Sequence, residues 1–274
     1  MQRALLVCLI GLGCHDPQPA APAANKTAKM TEMLVATPPG AGSAVDPALA
    51  AERESFIADA MAFTGLTRDQ VIDKVTVHND GMKVEWSAWE AKGPMTDARI
   101  KEFYKQTQNY IWDLGSWHLW DVSKHESDLA LVDQMKAAKV HTILDFGGGV
   151  GFNSLMLAQA GFDVTLADLD SQTLRFAQFR AQRQGVKLEF WKSDVEPMPP
   201  HGKYDAILCM DVLEHLPKAE LHTTVDKLVA LKTPQTQIII HAPFGRTATH
   251  PMHLDETEDT KQQIERLRTE VPRT

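Results

Sequence analysis

An α/β fold, doubly wound around a mostly parallel Rossmann-like sheet with helices on both faces, is what three features of this sequence predict. Five short apolar runs, at 140–146, 162–168, 187–191, 203–210 and 235–242, alternate with stretches able to form crossover helices. The first run ends in a glycine-rich turn, Gly147-Gly148-Gly149-Val150-Gly151, ahead of an apolar helical stretch at 155–160. Acidic residues then follow the strand ends in series: Asp145, Asp168, Asp194 and Asp211. In front of this domain, assigned to 139–274, the pattern predicts a helical and hairpin cap at 50–138 and a signal-like, Pro/Ala-rich segment at 1–49.

Composition bounds the function before any motif does. Among 274 residues, 36 acids against 28 Lys and Arg give a net charge of -8. Such a chain has no basic field with which to displace counterions from a phosphate backbone, so no nucleic-acid partner is expected. Cys8, Cys14 and Cys209 supply neither a disulfide framework nor a Cys-rich metal site.

The start of the chain reads in two ways. A short basic beginning, Met1 to Arg3, and a ten-residue apolar run at 4–13 precede Cys14 and a Pro/Ala-rich stretch. The run is too short to span a bilayer. Together with Cys14 it resembles a lipoprotein signal, which would put the protein at a membrane only if Cys14 is lipidated. The alternative is a cytoplasmic protein starting at Met30 or Met33, and the chemistry that follows favours it.

In the cap, a helical pattern runs from about Ala50 to Gly65 and restarts at Thr67, an N-cap with Gln70 at its third position. Next, Val75, Val77, Val84, Trp86 and Ala88 alternate with polar residues around Asn79-Asp80-Gly81, which predicts a β-hairpin. Five of the six tryptophans and two of the three tyrosines, Tyr104 and Tyr110, fall between Met82 and Trp120. Most of these rings are expected to pack the cap, and a minority to face a ligand.

The glycine turn carries the chemistry. Glycines let a backbone approach a ligand closely, and the following helix offers unpaired N–H groups, so a nucleotide-like ligand is expected there. A dinucleotide fingerprint needs glycines at its first, third and sixth places. Counted from Gly147 the sixth is Phe152, and from Gly149 it is Ser154. The nicotinamide-dinucleotide reading therefore fails, whereas Asp-x-Gly-x-Gly-x-Gly, from Asp145 to Gly151, is intact. The second strand ends in an acid, Asp168. Asp170 lies where it would cap the helix after that strand.

From 140 to about 243 the sequence resembles the class I S-adenosylmethionine-dependent methyltransferases that act on small molecules. The resemblance implies S-adenosylmethionine as cofactor, with S-adenosylhomocysteine as product. It implies that Asp145, Gly147, Gly149 and Gly151 form the donor-binding turn, and that Asp168, with Leu169 beside it, holds the ribose hydroxyls. Asp194 would accept from the adenine amino group, with the Val195 N–H meeting the ring. Cys209, Met210 and Asp211, ahead of the run Val212-Leu213-Glu214-His215-Leu216-Pro217, would border the methionine part and the sulfonium. Glu214 and His215 would face the active-site mouth.

Only 32 residues follow Ala242, and the last two strands of the usual fold have no counterpart in the pattern. Strand five would then be an apolar edge of the kind proteins normally cover, and the hairpin around residues 79–81 is the expected cover. His241, His250 and His253 follow that strand with Asp255 nearby, but spacing alone does not make a metal site, and no metal is expected. Glu214, His215, His250 and His253 are the candidate catalytic groups, as bases or hydrogen-bond donors near the acceptor.

The activity expected is transfer of a methyl group to an O, N or C nucleophile of a small molecule, or of a peptide, by in-line displacement. A homodimer is compatible with the sequence, which does not fix the oligomeric state. The competing reading is a noncatalytic donor-binding or partner protein with an incomplete fold. Because the methyl donor is made in the cytosol, the expected location is cytoplasmic.

Overall fold

The computed structural model describes residues 46–76 and 80–272. Cys8, Cys14 and the rest of the signal-like segment as far as residue 45 lie outside the described residues, while its last residues, 46–49, open the first helix. Six helices come first: α1 (Pro47–Thr64), α2 (Arg68–Thr76), α3 (Gly81–Glu90), α4 (Asp97–Gln106), α5 (Tyr110–Trp120) and α6 (Val122–Ala137). The α/β part then runs β1 (Thr142–Phe146), α7 (Phe152–Gln159), β2 (Asp163–Asp168), α8 (Gln172–Gln184), β3 (Glu189–Lys192), β4 (Ala206–Met210), a 3-10 turn (Leu213–His215), α9 (Lys218–Ala230), β5 (Gln237–His241) and α10 (Glu258–Thr269). No helix among the described residues is long and apolar enough to cross a membrane.

The first helix starts at Pro47, three residues ahead of the expected Ala50, and stops at Gly65 as expected, and the second restarts after Thr67. The Asp46 carboxylate accepts the Ala48 N–H at 2.8 Å, Pro47 occupies the first turn where its missing N–H costs nothing, and Gly65 closes α1 at φ 76°. Thr67 and Gln70 form the reciprocal capping pair: the Thr67 N–H donates to Gln70 Oε1 (2.9 Å) and the Gln70 N–H to Thr67 Oγ1 (3.3 Å).

The expected hairpin is not formed. Both flanks of residues 77–79 are helical, because the residues that bury are spaced by four rather than two: Val71 with Val75 in α2, and Met82 with Trp86 in α3. Val84, the centre of the alternating pattern, is 67% exposed. Trp86 instead meets Phe103 of α4 edge to face, at a ring separation of 5.0 Å. Asn79 itself lies outside the described residues.

The five strands pair in the order β3-β2-β1-β4-β5, all parallel. β1 is central, with Phe146 opposite Ala167 on one side and Cys209 on the other. Strands covered on both faces need apolar side chains throughout, and Ile143, Leu144, Val164, Leu166, Ile207 and Leu208 are all buried. The chain order reverses direction between β1 and β4, and the crevice above the strands' carboxyl ends at such a switch point is where open α/β sheets bind ligands.

Among the described residues β5 pairs only with β4, so its other side is an edge carrying half-buried Ile238, Ile239 and Ile240. With α2 and α3 helical, no hairpin covers it. The cap is fixed to the α/β part through aromatic packing: Phe56 of α1 stacks on Phe152 of α7 (5.4 Å) and meets Phe176 of α8 edge-on (5.5 Å). The buried Arg180 guanidinium lies over the Phe152 ring and donates to the Val150 carbonyl at 2.7 Å.

Candidate functional site

A cavity of about 310 Å³ opens above the carboxyl ends of β1, β2 and β4 and is roofed by α4 and α5 of the cap. Gly147, Asp168, Leu169, Asp194, Asp211 and His215 line it from the α/β side. Ile100, Lys101, Tyr104 and Tyr110 line it from the cap. Of the aromatic cluster noted in the sequence, two tyrosines reach the cavity, while Trp86 and Trp112 are buried in the cap.

The glycine turn is pinned to the end of β2. The N–H groups of Gly147 and Gly148 donate to the Ala167 carbonyl at 2.7 and 3.2 Å. Gly147 stands at φ 76°, a left-handed conformation costly for any residue with a Cβ. A Cβ there would also come within 2.2 Å of Val212 Cγ2. Asp145 sits beneath the turn, buried, and accepts from Ser154 Oγ at 2.5 Å. Burial raises its carboxyl to about 6, and it supports the turn without lining the cavity. Gly149 and Gly151 likewise shape the turn without lining the cavity.

Asp168 stands at the cavity wall. Its Oδ2 accepts the Gly149 N–H (2.8 Å) and its Oδ1 the N–H of Leu169 (2.7 Å). Burial raises its carboxyl to about 6, and these two donors moderate the rise. A carboxylate oxygen has two lone-pair positions, so each oxygen keeps one acceptor position beyond its backbone bond. A vicinal diol fits that pair of acceptors.

The neighbouring acid is engaged differently. Asp194 Oδ1 accepts the Asp170 N–H at 2.9 Å, and Oδ2 accepts from Lys105 Nζ of α4 at 2.8 Å. Burial pushes its carboxyl upward, but the Lys105 ammonium and the Asp170 amide outweigh that and hold it below its ordinary value. The Val195 N–H, expected to meet the adenine ring, is tied into a turn on the Lys192 carbonyl at 3.0 Å, and the Val195 side chain is exposed. The adenine-side contacts drawn from the sequence are thus taken by the protein's own groups, and no feature of the sequence announced Lys105. Asp170 is not the cap of α8 either. Ser171 fills that place and accepts the Leu174 N–H, while the Asp170 carboxylate faces Arg175 and Lys192.

After β4, Cys209 is fully buried and its thiol is pushed well up by burial, so it is a packing residue. Met210 does not line the cavity. Asp211 does, in a left-handed conformation (φ 57°) uncommon for a residue with a side chain. Its N–H donates to the His241 carbonyl (2.7 Å) and its Oδ1 lies 2.6 Å from His241 Nδ1. The contact raises the His241 imidazole above its ordinary value.

Of the four candidate catalytic groups only His215 lines the cavity. Its Nδ1 is 2.8 Å from the hydroxyl of Tyr104, whose phenol is kept protonated by burial. Burial, with His253 beside it, lowers His215 to about 3. Glu214 does not face the mouth: it is fully buried behind the wall, with neither carboxylate oxygen hydrogen-bonded, and burial followed by repulsion from Asp211 raises it to about 8. His253 bonds through Nδ1 to the Pro243 carbonyl (2.8 Å) and is lowered to about 4 by burial and His250. His250, against Thr249 Oγ1 (3.0 Å), packs its ring 4.7 Å from that of His253. The rings of His215 and His253 meet edge on at 4.8 Å. These side chains form one cluster that the sequence placed only in part, since 38 positions separate His215 from His253.

Residues 143–235 match the family model described as a methyltransferase domain. Over 77 residues the chain is 42% identical to a ubiquinone biosynthesis O-methyltransferase of Bordetella avium, covering 27% of this chain and 32% of that protein. A protein of the same description from Nitrosospira multiformis is 35% identical over 92 residues, 32% of this chain and 38% of that one. The chain thus spans about a third of the length of the curated relatives it matches. Among solved structures, the magnesium protoporphyrin IX methyltransferase of Synechocystis aligns over 82% of this chain and 86% of its own, at 21% identity and a TM-score of 0.42. TehB from Haemophilus influenzae aligns over 57% and 54%, at 18% identity and a TM-score of 0.43. Over residues 143–235, the span from β1 to the segment before β5, the chain is thus similar to methyltransferase domains.

Proposed function

We propose that this protein transfers the methyl group of S-adenosylmethionine to a nucleophilic atom of a small molecule and releases S-adenosylhomocysteine. The observation that carries this reading is Asp168 at the cavity wall beside the glycine turn, with one acceptor position free on each oxygen. The curated relatives are named O-methyltransferases, which favours oxygen over nitrogen or carbon as the acceptor atom.

Bound in the cavity, the donor supplies an electrophilic sulfonium methyl group. The residues of this chain supply position. Asp168 takes the ribose hydroxyls, Gly147 and Leu169 border the nucleoside, and Asp194 takes the adenine amino group once Lys105 releases it. Asp211 and His215 flank the methionine end, and Tyr104, Tyr110 and Ile100 enclose the acceptor and exclude water. Holding nucleophile, methyl carbon and sulfur in line is the main requirement of such a displacement. Glu214, His250 and His253 lie outside the cavity and are assigned no proton transfer from the acceptor.

The reading is tested by release of S-adenosylhomocysteine from the full chain with a panel of phenolic and other hydroxylated metabolites, with Asp168→Ala as the inactive control. Turnover with at least one acceptor, lost in the variant, is the result expected. Donor binding with no turnover on any acceptor supports the noncatalytic reading instead. We place the protein in the cytoplasm, where the donor is made. Mass spectrometry of the native amino terminus checks this, and a lipidated Cys14 overturns it.

A further inference from the structure

Behind the cavity wall, Glu214, His215 and His253 each bring a ligand-type atom within 4.8 Å of the other two. Glu214 is fully buried and both its oxygens lack a hydrogen-bond partner, a condition that folded proteins rarely leave uncompensated. The two imidazoles are already oriented. His253 donates from Nδ1 to the Pro243 carbonyl, which can only accept, and His215 is bonded to the Met252 carbonyl. Each ring is thereby left with one nitrogen bearing a lone pair. On His215 that nitrogen, Nδ1, faces the Tyr104 hydroxyl at 2.8 Å, a donor that a cation can displace. Backbone carbonyls behind both rings are the outer-shell arrangement that fixes the tautomer of metal-ligating histidines.

We propose that Glu214, His215 and His253 form a binding site for one divalent first-row transition cation, with two nitrogen ligands and one carboxylate. Imidazole and carboxylate together suit zinc, manganese, iron(II) or cobalt(II), whereas magnesium and calcium favour all-oxygen sites. Three protein ligands leave coordination positions open, and because His215 lines the cavity the cation lies at its wall. The carboxylate that the fold leaves without a partner gains one, which explains why an acid is buried there.

The test uses the full chain, stripped with a chelator and dialysed, without methyl donor or acceptor, so that its failure leaves the methyltransferase reading standing. Titration with Co²⁺ alone is expected to give one equivalent bound, with visible bands of nitrogen and oxygen ligation and a rise in melting temperature. Glu214→Gln and His253→Ala are each expected to weaken binding at least tenfold and to abolish the rise, whereas Tyr104→Phe, which removes the competing hydroxyl, should leave binding as tight or tighter. Failure to bind an equivalent, sulfur-to-cobalt charge-transfer bands in the unsubstituted protein, or unchanged affinity in both folded ligand variants would overturn the proposal. If either ligand variant does not fold, the stoichiometry and spectrum of the unsubstituted protein decide.

Discussion

Asp168 and Glu214 are desolvated carboxyl groups at one cavity, the first in its wall and the second behind it, and they differ most in the hydrogen-bond donors that face them. Asp168 has two backbone N–H donors pointed at it, and its carboxyl rises only to about 6. Glu214 has no donor, and its carboxyl rises to about 8. Desolvation acts on both and nearby carboxylates add to it at each, whereas only Asp168 has backbone donors, the Gly149 and Leu169 N–H groups, that offset the rise. Asp168 is therefore a ready acceptor, whereas Glu214 is an acid that lacks a partner.

The largest effect should come from removing the supported acid. Asp168→Ala deletes two charge-assisted hydrogen bonds to a diol, at about 1.5 kcal/mol or more each, so donor affinity by calorimetry should fall on the order of 100-fold. Equal binding by both proteins would show that the diol is held elsewhere.

The same acid gives the affinity a pH dependence of known sign. Its folded value of about 6 lies above the ordinary 3.8, so protons favour the folded protein at low pH, and this stabilisation is lost as pH rises through 6. The acceptor function runs the other way. As pH falls from 8 to 5 the carboxylate is consumed, and donor affinity should drop roughly tenfold at pH 5. In Asp168→Asn the affinity should already be low, and this drop should be absent.

Glu214 should respond in the opposite sense to replacement. Glu214→Met substitutes an apolar group of similar size for a buried acid without a partner, so the metal-free protein should melt a few degrees higher, at about 2–4 °C per kcal/mol. A lower melting temperature would mean that the acid has a protein partner after all.

The smallest effect is expected at Lys105. Its ammonium holds Asp194, the acid proposed to take the adenine amino group, and it comes from the cap rather than from the sheet. Lys105→Met frees the carboxylate, and donor affinity should rise a few-fold, the scale of a part-exposed ion pair. A fall would make Lys105 part of the donor site.

The part of the cavity wall built by the glycine turn and Asp168 was legible in the sequence because all its parts are local. Asp145, the glycine turn and Asp168 span one strand–turn–helix–strand unit, and parallel pairing sets β1 and β2 side by side. The cap was less legible. Val84, Trp86 and Ala88 alternate like a strand, yet burial of Met82 and Trp86 on one face made the segment a helix, since packing against Phe103 outweighs a two-residue pattern.

The sequence by itself determined the strand order's chemistry: where the five strands lie, which turn needs left-handed glycines, and which acid ends β2. These follow from backbone sterics and from apolar runs a few residues long. Only the tertiary structure decided that Lys105 occupies Asp194, that two tyrosines roof the cavity, and that the buried Glu214 comes near the half-buried His253. Each of these joins residues far apart in the chain, and contacts of that kind depend on how the cap docks and on which side chains lose water when it does.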